Sequence, residues 1–190
     1  MKKVFFGGSR RLGRLNQKVQ ERAANIIAER LQVLVGDANG ADKAIQKFFA
    51  EKGYLNVVVF FAGAVCRNNL GKWATHPVRV DRSERDFRFY AAKDLAMSEE
   101  ADYGFMIWDG ESQGTVNNIL NLLERGKKVV VYRSPHKEFL TFNTPVDADE
   151  LLRHLEPHVA DALDRKINLR RRIAASQQAL RLAEPIRRNL

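Results

Sequence analysis

The sequence predicts an α/β fold of three layers, in which helices cover both faces of a mostly parallel sheet. Two observations lead to this fold class. Five short apolar runs, each bounded by turn residues, alternate with longer segments whose apolar residues recur at helical spacing. Glycine-bearing turns follow the first, second and fourth runs. Because crossovers between parallel strands are right-handed, we expect the strand order 3-2-1-4-5, which brings the three turns to one crevice.

The first strand, residues 3–6, runs into a turn whose composition suits phosphate binding. Two adjacent glycines let the backbone approach a ligand closely, and Ser9 and Arg10 can donate to a phosphate at the start of the following helix. A tight strand-to-helix turn without a ligand is the alternative interpretation. The turn consists of Gly7, Gly8, Ser9 and Arg10.

The second strand, residues 32–35, ends in a turn that holds two glycines and two acids, and a helix follows over residues 43–52. Asp37 or Asn39 could cap that helix. Because a carboxylate beside a phosphate is unfavourable, Asp37 or Asp42 would more naturally accept hydrogen bonds from a sugar. The turn consists of Gly36, Asp37, Ala38, Asn39, Gly40, Ala41 and Asp42.

The third strand, residues 56–62, is apolar along almost its whole length and is therefore expected to be buried on both faces. The loop that follows, residues 63–83, shows no sustained periodicity. Long loops in compact domains often bind ligands, so Arg67, Asn68 and Trp73 are candidates for a lid. The alternative is a surface loop that its tryptophan anchors.

The fourth strand and the turn behind it form the centre of the predicted site. A helix over residues 84–98 precedes the strand, and its Asp94 either reaches the site or is solvated. Residues 103–108 form the strand, and residues 109–114 are of types that favour a turn. Residues 116–123 have apolar side chains at helical spacing. In an open α/β sheet such a turn lies at the carboxyl edge, where helix amides face anions.

The last third of the chain is predicted to be mostly helical. Residues 128–132 form a fifth strand, and residues 137–143 form a short edge strand or an ordered arm. Pro157 then divides the helical sequence into a short helix through Leu155 and a long helix that reaches about Ala183. The irregular apolar stripe of the long helix favours packing on the body or on a second subunit over a coiled coil.

We expect an α/β domain over residues 1–144 and a basic helical extension over residues 145–190. Residues 165–190 hold eight basic residues against the one acid Glu184, and so carry +7 of the net charge of +9. The preceding part of the chain therefore carries only +2. Any attraction to nucleic acid belongs to this tail and not to the sheet.

The totals exclude several other classes of protein. A hydrophobic fraction of 45% excludes a mostly disordered chain, and no apolar run approaches the roughly 20 residues of a membrane span. Without a secretory signal, a cytoplasmic protein with no membrane partner is expected. Cys66 is the only cysteine, so it cannot form an internal disulfide. Pro157 separates His154 from His158, the only histidines at helical spacing, so neither a metal site nor a cofactor is expected.

Taken in order, the three turns resemble those of the SLOG superfamily of Rossmann-like proteins. That superfamily includes the lonely-guy cytokinin phosphoribohydrolases, the DNA-processing protein of natural transformation, and sensor domains for nucleotide-derived signals. The Gly-Asp-Ala-x-Gly-Ala-Asp turn is most similar to an uncharacterised bacterial branch, the YspA-like proteins. The resemblance covers residues 3–133 and leaves the basic tail unexplained.

The resemblance implies a nucleotide-type ligand. It implies that Gly8, Ser9, Arg10, Gly114 and Thr115 cradle a phosphate, and that Gly36, Asp37 and Asp42 border a sugar or base. The full set of predicted ligand-binding residues is Gly7, Gly8, Ser9, Arg10, Gly36, Asp37, Gly40, Ala41, Asp42, Asp109, Ser112, Gly114 and Thr115.

One position departs from the phosphoribohydrolase pattern. In those enzymes a catalytic glutamate follows the Gly-Thr turn three residues after the threonine, and this sequence has Asn118 there. Asparagine cannot accept a proton from water or stabilise an oxocarbenium ion as a carboxylate does. Hydrolysis by the familiar mechanism is therefore not expected.

Three functions follow as hypotheses. The first is a binding or sensing module for a nucleotide or nucleotide-derived ligand, expected to be a homo-oligomer. The second is an enzyme that cleaves or transfers an N-glycosidic bond, with another carboxylate in place of the glutamate. The third is a nucleic-acid-binding protein that uses the basic tail. The carboxylates considered for catalysis are Asp37, Asp94, Asp109 and Glu111.

Overall fold

The computed structural model describes residues 1–80, 87–147, 150, 153 and 155–183. Its strands are β1 (Lys3–Gly8), β2 (Gln32–Gly36), β3 (Val57–Ala62), β4 (Ala74–Val78), β5 (Tyr103–Trp108), β6 (Val129–Arg133) and β7 (Glu138–Phe142). The α-helices within these residues are α1 (Gln17–Ala28), α2 (Ala41–Glu51), α3 (Phe87–Glu100), α4 (Gln113–Leu123), α5 (Pro157–Ile167) and α6 (Leu169–Ala183).

The strands form one sheet in the order β4-β3-β2-β1-β5-β6-β7. Every neighbouring pair is parallel except β6 with β7, which are antiparallel. The five strands predicted from the sequence lie in the predicted order, and one further strand flanks them on each side. The α/β class is therefore confirmed as a Rossmann-like, mostly parallel sheet between helical layers.

The sequence predicted one of the two flanking strands and missed the other. β7 confirms the edge strand predicted within residues 137–143. β4 lies in the segment predicted as a loop, and that prediction is wrong. Its residues are mostly exposed and include Pro77, and among the described strands it pairs with β3 alone. A strand at the sheet edge needs neither the apolar run nor the alternation that identify an interior strand, so the sequence pattern did not indicate it.

Alternate side chains of the central strands enter two separate apolar cores, one on each face of the sheet. Val4 and Phe6 of β1 belong to the core that includes the apolar residues of α1 and α2. Phe5 belongs to the opposite core, formed with α4, α5 and α6. Burial on both faces explains why the interior strands are almost continuously apolar.

The long C-terminal helix predicted from the sequence is broken at Asn168. This residue adopts the left-handed conformation (φ +53°, ψ +47°), and its N–H donates to the Asp164 carbonyl at the end of α5. Asparagine tolerates that conformation better than most residues, so one helix ends and the next begins there. The two helices pack back on the body, since Leu163, Leu169 and Ile173 belong to the core beside α4.

Some predicted boundaries fall beyond what the structure describes. The predicted helix start at Glu84 lies outside the described residues, and α3 continues past the predicted end at Ser98 to Glu100. Residues 148, 149, 151, 152 and 154, within the short helix predicted to end at Leu155, also lie outside them. The division at residues 144 and 145 stays a prediction. None of the helices in the described ranges combines the length and apolar character that a membrane span requires.

Candidate functional site

A cavity of about 520 Å³ opens at the carboxyl edge of the sheet, where the segments after β1, β2 and β5 meet α3 and the start of α4. Its volume falls in the range of small-molecule sites. We call it the central cavity. The predicted site residues that line it are Gly8, Ser9, Arg10, Asp42, Asp94, Asp109, Glu111, Ser112, Gly114 and Thr115.

The first turn of α4 forms one wall of the central cavity. Ser112 caps the helix, and its hydroxyl accepts a weak hydrogen bond from the Thr115 N–H at 3.4 Å. The first N–H groups of a helix have no intrahelical acceptor, and the helix dipole makes this end electropositive. A Cβ atom at Gly114 would meet no atom within 4 Å, so open space lies in front of this turn. The geometry suits an anion.

Asp109 fixes the turn that presents α4. Its Oδ1 accepts hydrogen bonds from the N–H groups of Ser112 (2.7 Å) and Glu111 (3.1 Å). Its Oδ2 accepts the hydroxyl of Ser9 at 2.6 Å, which joins the segment after β1 to the segment after β5. Glu111 in turn forms an exposed ion pair with Arg11. Asp109 therefore joins the segments after β1 and β5 and fixes the turn that precedes α4.

The expectation that Gly7, Gly8, Ser9 and Arg10 lead directly into a helix is wrong. β1 extends through Gly8, and α1 begins only at Gln17. The N–H of Ser9 donates to the Ile107 carbonyl at 3.0 Å, and the N–H of Arg11 donates to the Ser9 hydroxyl at 3.2 Å. These amides are already hydrogen-bonded within the protein. Ser9 and Arg10 therefore contribute side chains to the cavity, and no helix begins at them.

Arg10 supplies a positive charge at the central cavity. Its guanidinium lies 4.9 Å from the centre of the Tyr90 ring, and the guanidinium of Arg67 lies 5.5 Å from the same ring. Both distances are within the range of cation–π attraction. Tyr90 and Arg10 both line the cavity, so the ring helps to hold this cation at the cavity wall.

A buried charged cluster forms another part of the cavity wall. The ammonium of Lys93 lies 2.7 Å from Asp94 Oδ1 and 3.6 Å from Asp42 Oδ2. Burial lowers the pKa of Lys93, but the two carboxylates raise it by more, so this lysine stays protonated. Burial raises the pKa of Asp42. Asn118 extends the cluster by donating from Nδ2 to Asp94 Oδ2 at 3.2 Å.

Asp37, which the sequence placed beside a sugar, lies outside the cavity lining and binds Arg67 instead. The guanidinium donates from Nε to Oδ2 at 2.8 Å and from Nη2 to Oδ1 at 2.5 Å, and the Arg67 N–H adds a third hydrogen bond. Burial raises the pKa of Asp37, but these hydrogen bonds lower it by more, so it lies below the ordinary value. Asp37 joins the loop after β3 to the turn after β2.

Four other predicted residues also lie outside the cavity lining: Gly7, Gly36, Gly40 and Ala41. A Cβ at Gly36 would lie 2.2 Å from Asp42 Oδ2 and 2.4 Å from the Lys93 ammonium, so glycine makes room for the charged cluster. Gly40 has φ +80°, and a Cβ there would lie 2.1 Å from the Arg10 carbonyl oxygen. Glycine thus lets the start of α2 pack against the segment after β1.

The loop after β3 is anchored, as the alternative interpretation held, and its residues do not line the central cavity. Trp73 is buried, and its indole N–H donates to the Tyr54 carbonyl at 2.9 Å. The buried Gln46 side chain donates to the Gly36 carbonyl and accepts the N–H of Leu70. Asn68 donates to the carbonyl oxygen of residue 37.

Sequence reasoning missed Tyr90, Lys93 and Asn117 as lining residues, and it treated Asn118 only as a departure from a pattern. One signal was present for Lys93. It lies four residues from Phe89 and four from Met97, and all three are buried on one face of α3. A lysine at an apolar position of a helix face is typical of a charged site rather than of a solvated surface.

No protein-family model matches this chain, and no curated protein is similar to it. Within the described residues, no group of three or more histidine, cysteine, aspartate or glutamate side chains could hold a metal ion. The site is therefore interpreted from its own geometry.

Some basic residues of the tail form ion pairs within the molecule. Arg172 forms an ion pair with Glu124 of α4 at 2.6 Å, and Arg170 forms one with Asp161 of α5 at 3.1 Å. Other tail residues such as Arg171 are exposed. Nucleic-acid binding by the tail stays a prediction, and its test is a loss of salt-dependent binding when exposed basic residues such as Arg171 are replaced by alanine.

Proposed function

We propose that this protein is a SLOG-type module that binds or senses a nucleotide or a nucleotide-derived ligand in the central cavity. One observation carries the proposal: the electropositive first turn of α4 and the guanidinium of Arg10 face the same cavity. Two sources of positive potential around one space suit a phosphate group. A cavity of about 520 Å³ leaves room for a sugar and base beside that phosphate.

The proposal includes a cytoplasmic location and a homo-oligomeric state. A single cysteine agrees with a reducing compartment. The resemblance of the three turns to the SLOG superfamily supports the ligand class, because residues from each turn line the cavity: Ser9, Asp42 and Gly114.

Isothermal titration with nucleoside mono- and diphosphates, ADP-ribose and cyclic nucleotides tests the proposal. We expect at least one of these compounds to bind, with inorganic phosphate as a weak competitor. Absence of binding across the panel, by protein that circular dichroism shows to be folded, would contradict the proposal.

A charge placed at Gly114 tests whether the first turn of α4 holds the anion. We expect Gly114→Asp to weaken binding by about a hundredfold or more, because its carboxylate would occupy the proposed phosphate position. The variant should fold, since the position is open and an acid at a helix start is favourable. Gly114→Ala is the neutral control at the same position, and Gly13→Asp adds the same charge at an exposed glycine outside the lining.

A second candidate function is an enzyme that cleaves or transfers an N-glycosidic bond. The observation that favours it is a pair of carboxylates, Asp42 and Asp94, in the wall of the cavity. Two carboxylates beside one sugar can divide the nucleophile and acid roles between them. Release of free base from nucleoside 5′-monophosphates, followed by chromatography, decides between binding alone and turnover. Absence of free base with wild-type protein would exclude this function.

A further inference from the structure

One acceptor in the wall of the central cavity has no hydrogen-bond donor among the residues that the structure describes. Asn118 exposes only 6% of its surface and lines the cavity. Its Nδ2 donates to Asp94 Oδ2 at 3.2 Å, so Oδ1 is the amide atom that remains as an acceptor. Its Oδ1 is shielded from solvent and has no donor in the part of the chain that the structure describes. Such an acceptor costs free energy until a partner reaches it.

The position of Asn118 relates this acceptor to the proposed phosphate position. Residues four apart share one face of a helix, so Asn118 lies just over one turn, about 6 Å, along α4 from Gly114. The terminal torsion of an asparagine side chain is broad, so a ligand can turn Oδ1 toward the cavity. This rotation releases the Nδ2 hydrogen bond to Asp94, whose Oδ1 stays paired with Lys93. A group attached to a phosphate at the first turn can therefore reach this oxygen.

The neighbours of Asn118 favour a neutral donor. The carboxylates of Asp42 and Asp94 belong to the same cluster and also accept hydrogen bonds. The ammonium of Lys93 already lies among them, at 2.7 Å from Asp94 and 3.6 Å from Asp42. A second cation would be repelled by this lysine, whereas hydroxyl groups would donate to the oxygens at no such cost.

We propose that Asn118 Oδ1 accepts a hydrogen bond from a ribose hydroxyl group of a nucleoside 5′-phosphate, so that the cavity selects ribose over sugars without the 2′- and 3′-hydroxyls. This inference rests on the proposed function, since it needs the phosphate at the first turn of α4. It gives the asparagine a role in selecting the ligand and requires no reaction at the sugar.

The test compares ligands and variants in one titration series. Wild-type protein is titrated with the four common ribonucleoside 5′-monophosphates and with their 2′,3′-dideoxy counterparts. We expect the ribose form to bind about tenfold or more tightly, because the dideoxy form leaves a buried acceptor unpaired. We expect Asn118→Leu to reduce the ratio of the affinities for the ribose and dideoxy forms nearly to one. Arg10→Ala should weaken the binding of both forms equally.

The matched control is Asn121→Leu, the same substitution one turn further along α4. Asn121 is also buried, but its Oδ1 already accepts a hydrogen bond from Arg172 at 2.8 Å, and it does not line the cavity. We expect Asn121→Leu to keep the wild-type ratio. If Asn121→Leu lowers the stability of the protein but keeps the ratio of the two affinities, a changed ratio in Asn118→Leu cannot be attributed to lost stability.

The outcomes separate this inference from the proposed function. If the wild-type protein binds the ribose and dideoxy forms with a ratio of affinities near one, the inference is overturned and the proposed phosphate site is unaffected. This comparison needs no variant to fold. An unchanged ratio in Asn118→Leu also overturns it. If no 5′-monophosphate binds, the inference fails, and if the whole panel of nucleotides fails to bind, the proposed function fails with it.

Discussion

Arg67 and Asp37 show how a single pair of residues joins distant segments beside the central cavity. The carboxylate is fully buried, while 42% of the arginine side chain is exposed. The guanidinium holds both carboxylate oxygens, so the loop after β3 is joined to the turn after β2. Two parallel hydrogen bonds of this kind give a fixed geometry as well as attraction. The pair therefore fixes the turn after β2, in which Ala38 lines the central cavity.

We predict a characteristic pH dependence for Asp37→Asn. The pKa of Asp37 is lowered in the folded protein, so its stabilising contribution is complete above the ordinary value of 3.8 and is lost as the pH falls below it, through the folded-state pKa. At pH 7 the variant should lose roughly 1–3 kcal/mol in the free energy of unfolding, and this deficit should narrow below pH 3.8. Urea unfolding between pH 7 and pH 3 measures both quantities.

Asp161→Asn is the control, because the ion pair of Asp161 with Arg170 is exposed on both sides. Exposed pairs contribute about 0–1 kcal/mol. A deficit in Asp37→Asn that stayed constant with pH would contradict the ionised pairing with Arg67.

At the scale of the elements, the break between α5 and α6 directs the C-terminal chain. Asn168 is left-handed, accepts the N–H of Arg172 at its carbonyl, and donates its own N–H to the Asp164 carbonyl. Because the chain turns there, Ile167 at the end of α5 and Leu169 at the start of α6 are both buried. A continuous helix could not place residues two apart on the same face.

We predict that Asn168→Val lowers the free energy of unfolding by about 1–2 kcal/mol. A β-branched residue is strained in the left-handed conformation, which asparagine and glycine adopt more easily. Asn168→Gly is the matched variant, and it should change stability by only a few tenths of a kcal/mol. Urea unfolding of both proteins provides the comparison, and equal stabilities would show that the turn does not depend on a left-handed residue.

At the scale of the whole molecule, the C-terminal helices complete one of the two cores of the sheet. Leu163, Leu169 and Ile173 belong to the same apolar core as α4 and the strand β5. Arg172 adds polar contacts to α4, with hydrogen bonds to Asn117 Oδ1 at 2.9 Å and to both oxygens of Glu124. Since Asn117 also lines the central cavity, the extension supports the helix on which the proposed site is built.

We predict opposite outcomes for two adjacent arginines of α6. Arg172→Ala should lower the free energy of unfolding by roughly 1–3 kcal/mol, because it removes charge-assisted hydrogen bonds and leaves Asn117 and Asn121 without a donor. Arg171→Ala removes the same charge from an exposed position and should stay within about 0.5 kcal/mol of wild type. Thermal and urea unfolding measure the difference, and equal losses would mean that Arg172 does not fasten the extension.

The interior of the fold could be predicted from the sequence because its evidence is local. The run at Tyr103–Trp108 and the helix Gln113–Leu123 show their periodicity within a few residues. The right-handed crossover rule then orders the strands and brings Ser9, Asp42 and Gly114 to one edge. β4 could not be predicted in this way, because an exposed strand paired on one side has no apolar run.

The sequence by itself determined the class of the fold, the order of its interior strands and the edge at which three turns meet. The tertiary structure alone decided which charges pair, since that depends on distances of a few ångströms between residues far apart in the chain. It paired Asp37 with Arg67, placed Lys93 between Asp42 and Asp94, and left Asn118 Oδ1 without a hydrogen-bond donor among the described residues. Local periodicity carries no information about such contacts, because a carboxylate has the same pattern in the sequence whether it faces a ligand, a cation or water.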